Sequence, residues 1–417
     1  MAVTFSKKQL VSISVILAML FHFAYYFNLY GPPVSLFKGF RIYFLALGSA
    51  IIMIFIYIGT YWRHGLKENK AIIFYDLLIL WIIVSIIRSA LEFNSLGQFR
   101  VFLLNTYLGL SMLPVFFFIV GVNINYFFSI NRLLTIYLIV VTIISFFFID
   151  YFEIQLFLLY PIFYLILTIP LRKNWGKILV LLVTVSIVIV SFTNRAGILR
   201  IIIGYCIIGV YYVMCNVNIN RRLLKFAVFC LLMIPLISLY LGIQGVSVFQ
   251  ALLGSDTIDY SQMNPYADTR TFLYYEVFQD LMANNAFVFG KGIGSGYMSE
   301  AFETYDRSTV EVGFLQILLK TGIIGVLLYL SVIVSAIYKA LGRSKSIFMK
   351  SLGLLLASYV LLIFIENVVA YNLLNVIIWI VVGICHSPAI RDLSDDEFKN
   401  LYKTGKLPEA NRKDVKN

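Results

Sequence analysis

The chain has 417 residues, of which 61% are hydrophobic and only 13% are charged. Soluble domains have about half apolar residues and about a quarter charged ones, so a water-soluble fold could not bury this much apolar surface. Apolar stretches long enough to cross a bilayer recur almost from end to end, which leaves no room for a separate soluble domain. The composition excludes soluble enzymes and predicts an all-α, polytopic integral membrane protein.

The formal net charge is +12. Its lysines and arginines fall mostly in short connectors between apolar stretches, where they face anionic headgroups and set the orientation of the helices. We therefore expect the lipid bilayer as a partner and no nucleic acid.

About twelve apolar windows have the roughly 20 residues that cross a hydrocarbon core. They are Leu10–Tyr30, Ile42–Trp62, Ala71–Leu91, Val101–Gly121, Leu133–Asp150, Glu153–Leu171, Ile178–Asn194, Ile198–Val217, Phe226–Val246, Gly313–Ala336, Leu352–Tyr371 and Leu374–Ala389. The basic residues lie in alternate connectors, which all fall on the same side of the membrane as the N-terminus. That side is predicted to be cytoplasmic, and an even number of spans returns the C-terminus to it. The chain then divides into the first nine transmembrane helices (1–246), a large extracytoplasmic loop (247–312), the last three transmembrane helices (313–390) and a cytoplasmic tail (391–417).

Two arginines are predicted near the outer headgroups. Arg195 lies between the seventh and eighth windows, and Arg270 opens an amphipathic helix in the loop. Arginine at this depth often only extends toward water or lipid phosphate, but its planar fork also suits a bound pyrophosphate, so both interpretations stay open. The predicted helix has an apolar face of Phe272, Tyr275, Phe278, Leu281 and Met282, with Glu276, Gln279 and Asp280 facing away.

Alternate glycines follow in the run from Gly290 to Gly296. Glycine permits backbone conformations closed to other residues and lets a ligand approach closely. Ser295 and Tyr297 stand where a dinucleotide fingerprint would need glycine. The run is either a flexible turn beside the membrane or a turn that shapes a ligand site.

Glu311 lies where the loop returns to the membrane, in the stretch before Gly313. A carboxylate at that boundary loses part of its hydration and is a candidate base, although an ordinary interfacial glutamate is an equal alternative. Glu366 lies deeper, where an unpaired carboxylate is costly, so we expect it to face a polar cavity. The loop has no acidic cluster of the kind that binds metal, and we expect neither a metal nor another cofactor.

Three elements of the sequence together resemble the bacterial O-antigen polymerase and O-antigen ligase superfamily, whose members have about a dozen spans and one large periplasmic loop. The elements are Asn194-Arg195-Ala196-Gly197, then Arg270 with Tyr274, Tyr275 and the glycine run, then Glu311 through Gly325. The sequence departs from the family pattern in Asn194, in the inserted Ala196, and in tyrosine where tryptophan is common. The ligase branch has histidine where this chain has Glu311, which favours the polymerase branch.

The resemblance implies a GT-C-like glycosyltransferase of the inverting type in the bacterial inner membrane, with its active site facing the periplasm. It would join undecaprenyl-pyrophosphate-linked oligosaccharide repeats into O-antigen or a related surface polysaccharide, with a chain-length regulator protein as partner. Arg195 and Arg270 would stabilise the leaving pyrophosphate, and Glu311 would receive the hydroxyl proton. The substrate-binding candidates are Arg195, Arg270, Tyr274, Gly290, Gly292, Gly294, Arg307 and Glu366.

Two alternatives remain. A lipid-linked oligosaccharide flippase or other transporter would also have many spans and a basic balance, but it would line a central cavity with charged residues. An O-antigen ligase would transfer finished glycan to a core lipid.

Overall fold

The computed structural model describes residues 6–30, 42–64, 72–91, 93, 95–147, 156–190, 195–217, 220–243, 271–299 and 304–404. Seven helices in this part of the chain are long and apolar enough to span a membrane, and shorter apolar helices accompany them. The predicted class, an all-α polytopic membrane protein, is confirmed. The count of about twelve spans and the orientation stay predictions.

Sixteen α-helices are described, and several apolar windows begin or end at different residues than predicted. They are α1 (Lys7–Tyr30), α2 (Tyr43–His64), α3 (Ile72–Leu91), α4 (Leu96–Leu103), α5 (Phe118–Val122), α6 (Ile124–Phe147), α7 (Leu156–Leu167), α8 (Asn174–Val190), α9 (Arg195–Asn216), α10 (Arg221–Ile243), α11 (Thr271–Ala283), α12 (Gly313–Arg343), α13 (Ile347–Ile365), α14 (Leu373–His386), α15 (Pro388–Arg391) and α16 (Asp395–Thr404). Two 3-10 helices, Gly109–Phe117 and Ile169–Leu171, complete the helical part. The antiparallel strands β1 (Tyr297–Ser299) and β2 (Thr304–Arg307) form a small hairpin that the sequence did not predict.

The fourth predicted span, Val101–Gly121, is not one helix. Helix α4 ends at Leu103, and the Asn105 side chain then accepts a hydrogen bond from the Tyr107 N–H at 2.8 Å. This local turn competes with continued helix. Beyond it the chain follows a 3-10 helix with Pro114 inside, and proline lacks the N–H that a continuous α-helix would need at that position.

Helix α14 is the centre of the bundle, and every one of its residues is buried. Its Gly383 lies against α5, and a Cβ added to Gly383 would lie 2.0 Å from the Phe118 carbonyl oxygen. A Cβ added to Gly121 of α5 would lie 1.9 Å from the Ile380 carbonyl oxygen. Small residues let the two backbones approach this closely, as is typical of helix packing in membranes. The apolar surface of outer helices such as α10 stays exposed, as a lipid-facing surface requires.

Helix α13 ends earlier than its predicted window. It stops at Ile365, and Glu366 is in an extended conformation, followed by a connector, residues 366–372, that leads into α14. Asparagine side chains satisfy backbone groups of this connector, since Asn375 Nδ2 donates to the carbonyl oxygens of Val368 and Ala370 at 2.6 and 2.7 Å. The chain therefore has irregular backbone at the same end of the bundle where α12 begins.

The tail helix α16 packs on the bundle. Phe398 is buried and its ring contacts Phe348 of α13. Asp395 accepts hydrogen bonds from the N–H groups of Ile347 and Phe348 at 2.9 and 3.0 Å. These bonds cap the start of α13, where a negative charge is also favourable.

Candidate functional site

A buried ion pair joins α9 to the end of α13. Arg200 Nε and Nη2 donate to the two carboxylate oxygens of Glu366 at 2.9 and 2.6 Å. The two side chains are only 6% and 11% exposed. A bidentate pair with this little water fixes the position of both charges.

The sequence predicted that Glu366 faces a polar cavity and did not identify Arg200 as its partner. The available signal was a charged residue inside the apolar window Ile198–Val217, which by itself indicates a functional or paired group. The sequence could not show the pairing, because 166 positions separate the two residues.

Backbone contacts bring the loop's return segment, residues 310–313, beside Glu366. The Gly313 N–H donates to the Glu366 carbonyl oxygen at 3.0 Å, and Asn367 Nδ2 donates to that of Val310 at 2.7 Å. An added Cβ on Gly313 would lie 3.2 Å from the Glu366 carbonyl oxygen. The return segment therefore places the backbone around Glu311 beside the backbone of Glu366.

Glu311 itself pairs with Arg307 at the end of β2. Arg307 Nη2 donates to Glu311 Oε1 at 2.8 Å, and the side chains are 21% and 48% exposed. Glu311 is half exposed, as expected for a carboxylate that loses part of its hydration, but it is also ion-paired, which the sequence did not predict. A partly exposed pair of this kind adds little to stability, so the Glu311 side chain can leave it for a ligand at small cost.

The loop helix α11 reaches the same region. Tyr274 is buried, and its hydroxyl donates to the Phe364 carbonyl oxygen at 2.6 Å, two residues before Glu366. Arg270, immediately before α11, lies outside the described residues. Arg195 is the first residue of α9, five residues or ~7.5 Å along the axis from Arg200, and its side chain is also outside the described part.

The predicted helix forms, but its polar residues do not simply face water. Its buried residues are Leu273, Tyr274, Val277 and Leu281, whereas Tyr275 and Met282 are exposed. Asp280 pairs with Lys291 at 2.8 Å, and Glu276 accepts a hydrogen bond from Ser299 at 2.8 Å. The rest of the loop supplies these partners, and helical periodicity alone cannot predict such contacts.

The hairpin also has a buried tyrosine. Tyr297 in β1 is 1% exposed. Burial raises its pKa, and the neighbouring Arg307 opposes the shift. The hydroxyl therefore remains protonated at physiological pH.

The glycine run packs closely against α3 and α12. Gly290 has φ 71° and Gly292 has φ 103°. A Cβ added to Gly290 would lie 2.5 Å from Gly322 N, and a Cβ added to Gly294 would lie 2.9 Å from the Phe93 ring. Close packing and backbone conformation account for these glycines, and a role for Gly290, Gly292 and Gly294 in substrate binding stays a prediction.

Side chains of α3 hold the turn in place. Arg88 Nη2 donates to the Gly290 carbonyl oxygen at 2.8 Å, and the Ile293 N–H donates to Ser89 Oγ at 2.6 Å. The Lys291 N–H donates to the Leu319 carbonyl oxygen of α12 at 2.7 Å. Three residues later, Gly322 has a φ of 68°, which interrupts the helical conformation of α12. The turn is thus built into the helix bundle, unlike a flexible connector.

A fully buried lysine lies just before this interruption. Lys320 is 0% exposed and its ammonium donates to the Tyr107 carbonyl oxygen, which also accepts from Gln316 Nε2 at 3.0 Å. Gln316 Oε1 accepts from the Val310 N–H at 2.7 Å. Two polar side chains of α12, Gln316 and Lys320, therefore link the return segment to the broken fourth span. The sequence did not single out either residue as a candidate site residue.

The site combines one desolvated guanidinium–carboxylate pair, one exposed pair and a buried tyrosine at one end of the bundle. Its partly exposed Arg307–Glu311 pair offers a guanidinium for an anion and a carboxylate that can accept a proton. Within the described residues, no group of three histidine, cysteine or carboxylate side chains has the arrangement of a metal site. Comparisons of this chain with protein-family models and with curated proteins give no match.

Proposed function

We propose that this protein is an inner-membrane glycosyltransferase that polymerises undecaprenyl-pyrophosphate-linked oligosaccharide repeats into O-antigen or a related surface polysaccharide. The single observation that carries the proposal is the buried Arg200–Glu366 pair beside the return segment of the loop. Charged groups inside a membrane bundle are costly and usually functional. In this proposal the site faces the periplasm, and a chain-length regulator is the protein partner.

The reaction joins an acceptor sugar to the anomeric carbon of a donor. The acceptor oxygen forms the new bond to that carbon while the bond from carbon to the pyrophosphate oxygen breaks. The lipid pyrophosphate leaves with one more negative charge, and the hydroxyl proton goes to a carboxylate. Fixed cations stabilise the leaving group, and a nearby carboxylate serves as base.

Arg195 and Arg270 are the proposed leaving-group partners, and Glu311 is the proposed base. Arg307, paired with Glu311 at 2.8 Å, would release the carboxylate when an acceptor or donor phosphate engages the guanidinium. The Arg200–Glu366 pair would act as a positioning element, because it links α9, which begins at Arg195, to the connector beside Glu311.

The first test uses purified protein with lipid-linked repeat units, and the product is a ladder of chain lengths on a gel. Arg270→Ala should abolish the ladder while expression stays normal, since the leaving charge then lacks a fixed cation. Arg222→Ala is the matched control, because Arg222 is an exposed arginine near the start of α10. A normal ladder from Arg270→Ala would remove that residue from the mechanism.

The second test concerns the base. Glu311→Gln should slow transfer by about 10²–10⁴-fold while donor binding persists, because the amide keeps the shape and loses the proton-accepting charge. Single-turnover kinetics and equilibrium binding of the lipid-linked donor measure the two effects separately. Glu397→Gln in α16 is the control. Equal turnover in wild type and Glu311→Gln would transfer the role to Glu366, Asp306 or Glu303.

A transporter is the second candidate, and one observation favours it. Lys320 is fully buried in the middle of the bundle next to the interruption in α12, as expected of an intramembrane substrate pathway. A flippase would move lipid-linked oligosaccharide across reconstituted vesicles without changing glycan length. That result, together with the absence of any ladder, would exclude the polymerase.

A further inference from the structure

Four cationic residues gather at the other end of the bundle. Lys339 and Arg343 lie in the last turns of α12, roughly 40 Å along the helix axis from Gly313. Arg391 ends α15. Lys225 of α10 joins them from the outside, because its ammonium lies 4.5 Å above the Tyr338 ring.

Hydrogen bonding identifies the protonation state of His386, the partner of Lys339. His386 Nε2 lies 3.2 Å from the Val332 carbonyl oxygen, which can only accept, so Nε2 carries the proton. His386 Nδ1 is then an acceptor, and Lys339 Nζ donates to it at 2.9 Å. The histidine is neutral and contributes no negative charge opposite Lys339.

Arg391 is buried in the same place. It is 8% exposed, and its Nε has no hydrogen-bond partner among the described residues. Its carbonyl oxygen accepts from the Lys345 N–H at 3.0 Å, which holds it against the turn between α12 and α13. Burial lowers the pKa of Arg391; the adjacent Asp392 opposes this shift, and Arg343 adds to it.

No carboxylate forms a direct ion pair with these cations in the part of the chain that the structure describes. None of the ion pairs found there includes Lys339, Arg343 or Arg391. Asp392 is exposed, and both oxygens of Asp395 are bound to N–H groups of α13. Lys339 and Arg343 also stand four residues apart on one helix, where like charges repel.

The ordinary preference of basic residues for cytoplasmic connectors and helix C-terminal ends accounts for exposed cations such as Arg343 and Lys345. It does not account for Lys339 and Arg391, which are 7% and 8% exposed. Cations withdrawn from water need a compensating negative charge.

We infer that Lys339, Arg343 and Arg391, with Lys225 at the rim, form a binding site for a phosphate group. Guanidinium forks and ammonium groups are the side chains that bind phosphate. The candidate span of α12 runs to Arg343, which puts the site at headgroup depth, and Tyr338 is 53% exposed on the lipid-facing side. The phosphate belongs either to an anionic lipid headgroup or to a free phosphate from solution.

Native mass spectrometry of the full chain in detergent tests the site. The protein is titrated with phosphatidylglycerol, with phosphatidylcholine, and with phosphatidylglycerol in the presence of inorganic phosphate. Wild type should retain phosphatidylglycerol in preference to phosphatidylcholine. Arg343→Gln should bind it about five-fold more weakly, as expected for one Lys or Arg charge near a membrane surface.

Arg343 is exposed, so its substitution leaves folding intact, whereas Arg391→Gln is a stronger variant that could disturb packing. Lys399→Gln is the matched control: its 43% exposed side chain lies on α16, outside the cluster, and should have no effect. Competition by inorganic phosphate would assign the site to free phosphate, and persistent lipid binding would assign it to the headgroup. Equal retention of both lipids without a phosphate effect, or equal binding by wild type and Arg343→Gln, would overturn the inference.

Discussion

The Arg200–Glu366 pair allows a direct test of how desolvated the site is. Its side chains are 6% and 11% exposed, and two hydrogen bonds of 2.9 and 2.6 Å join them. Removing one partner leaves the other as an uncompensated buried charge, which costs about 3–5 kcal/mol. Arg200→Leu and Glu366→Leu should each lower the free energy of unfolding by about that amount. The double variant, which leaves no buried charge, should lose less than either single variant.

Equilibrium unfolding in mixed micelles, followed by far-UV circular dichroism, gives the four free energies of a double-mutant cycle. The coupling energy should reach about 3 kcal/mol or more for the buried pair. The exposed pair Arg307–Glu311 is the internal control and should couple by less than about 1 kcal/mol. Similar coupling in both pairs would refute the argument, because it would mean that water reaches Arg200 and Glu366 freely. The double variant also separates stability from function, since a positioning role predicts a stable protein that polymerises poorly.

Two further predictions concern the framework. Gly322→Ala should destabilise the protein by at least about 2 kcal/mol, because Gly322 has φ 68° and ψ −175° and an added Cβ would lie 2.2 Å from the Val288 carbonyl oxygen. Gly59→Ala, whose Cβ would meet nothing within 4 Å, should be neutral or slightly stabilising, and thermal unfolding of both variants decides the point. Asp395→Ala should lose about 1–2 kcal/mol because the N–H groups of Ile347 and Phe348 lose their acceptor while the Ser346 cap remains, whereas the 98% exposed Asp396 tolerates alanine; equal midpoints would contradict this role.

The positions of helices followed from the sequence wherever an apolar run had no competing local signal. The predicted helix in the loop forms as Thr271–Ala283, and a helix does begin at Gly313. The window Val101–Gly121 failed because hydropathy does not register the Asn105 turn or Pro114. Hydropathy sums composition over a window, whereas a helix break depends on one or two hydrogen bonds.

The candidate site was only partly visible in the sequence. Glu366 was expected to face a polar cavity, because an unpaired carboxylate at that depth is costly, and the structure instead pairs it with Arg200. Its partner Arg200 was not identified, and the glycines at 290 and 294 that suggested a ligand turn turned out to pack against backbone and side chains of distant helices.

The sequence by itself determined that the chain enters a membrane as helices, because apolar content and length act on each segment separately. Only the tertiary structure decided which charges are paired, as Arg200 is, which are buried inside the bundle, as Lys320 is, and which are buried without an ion pair among the described residues, as Arg391 is. The physical reason is that desolvation and pairing depend on contacts between residues far apart in the chain, and a linear pattern does not carry those distances.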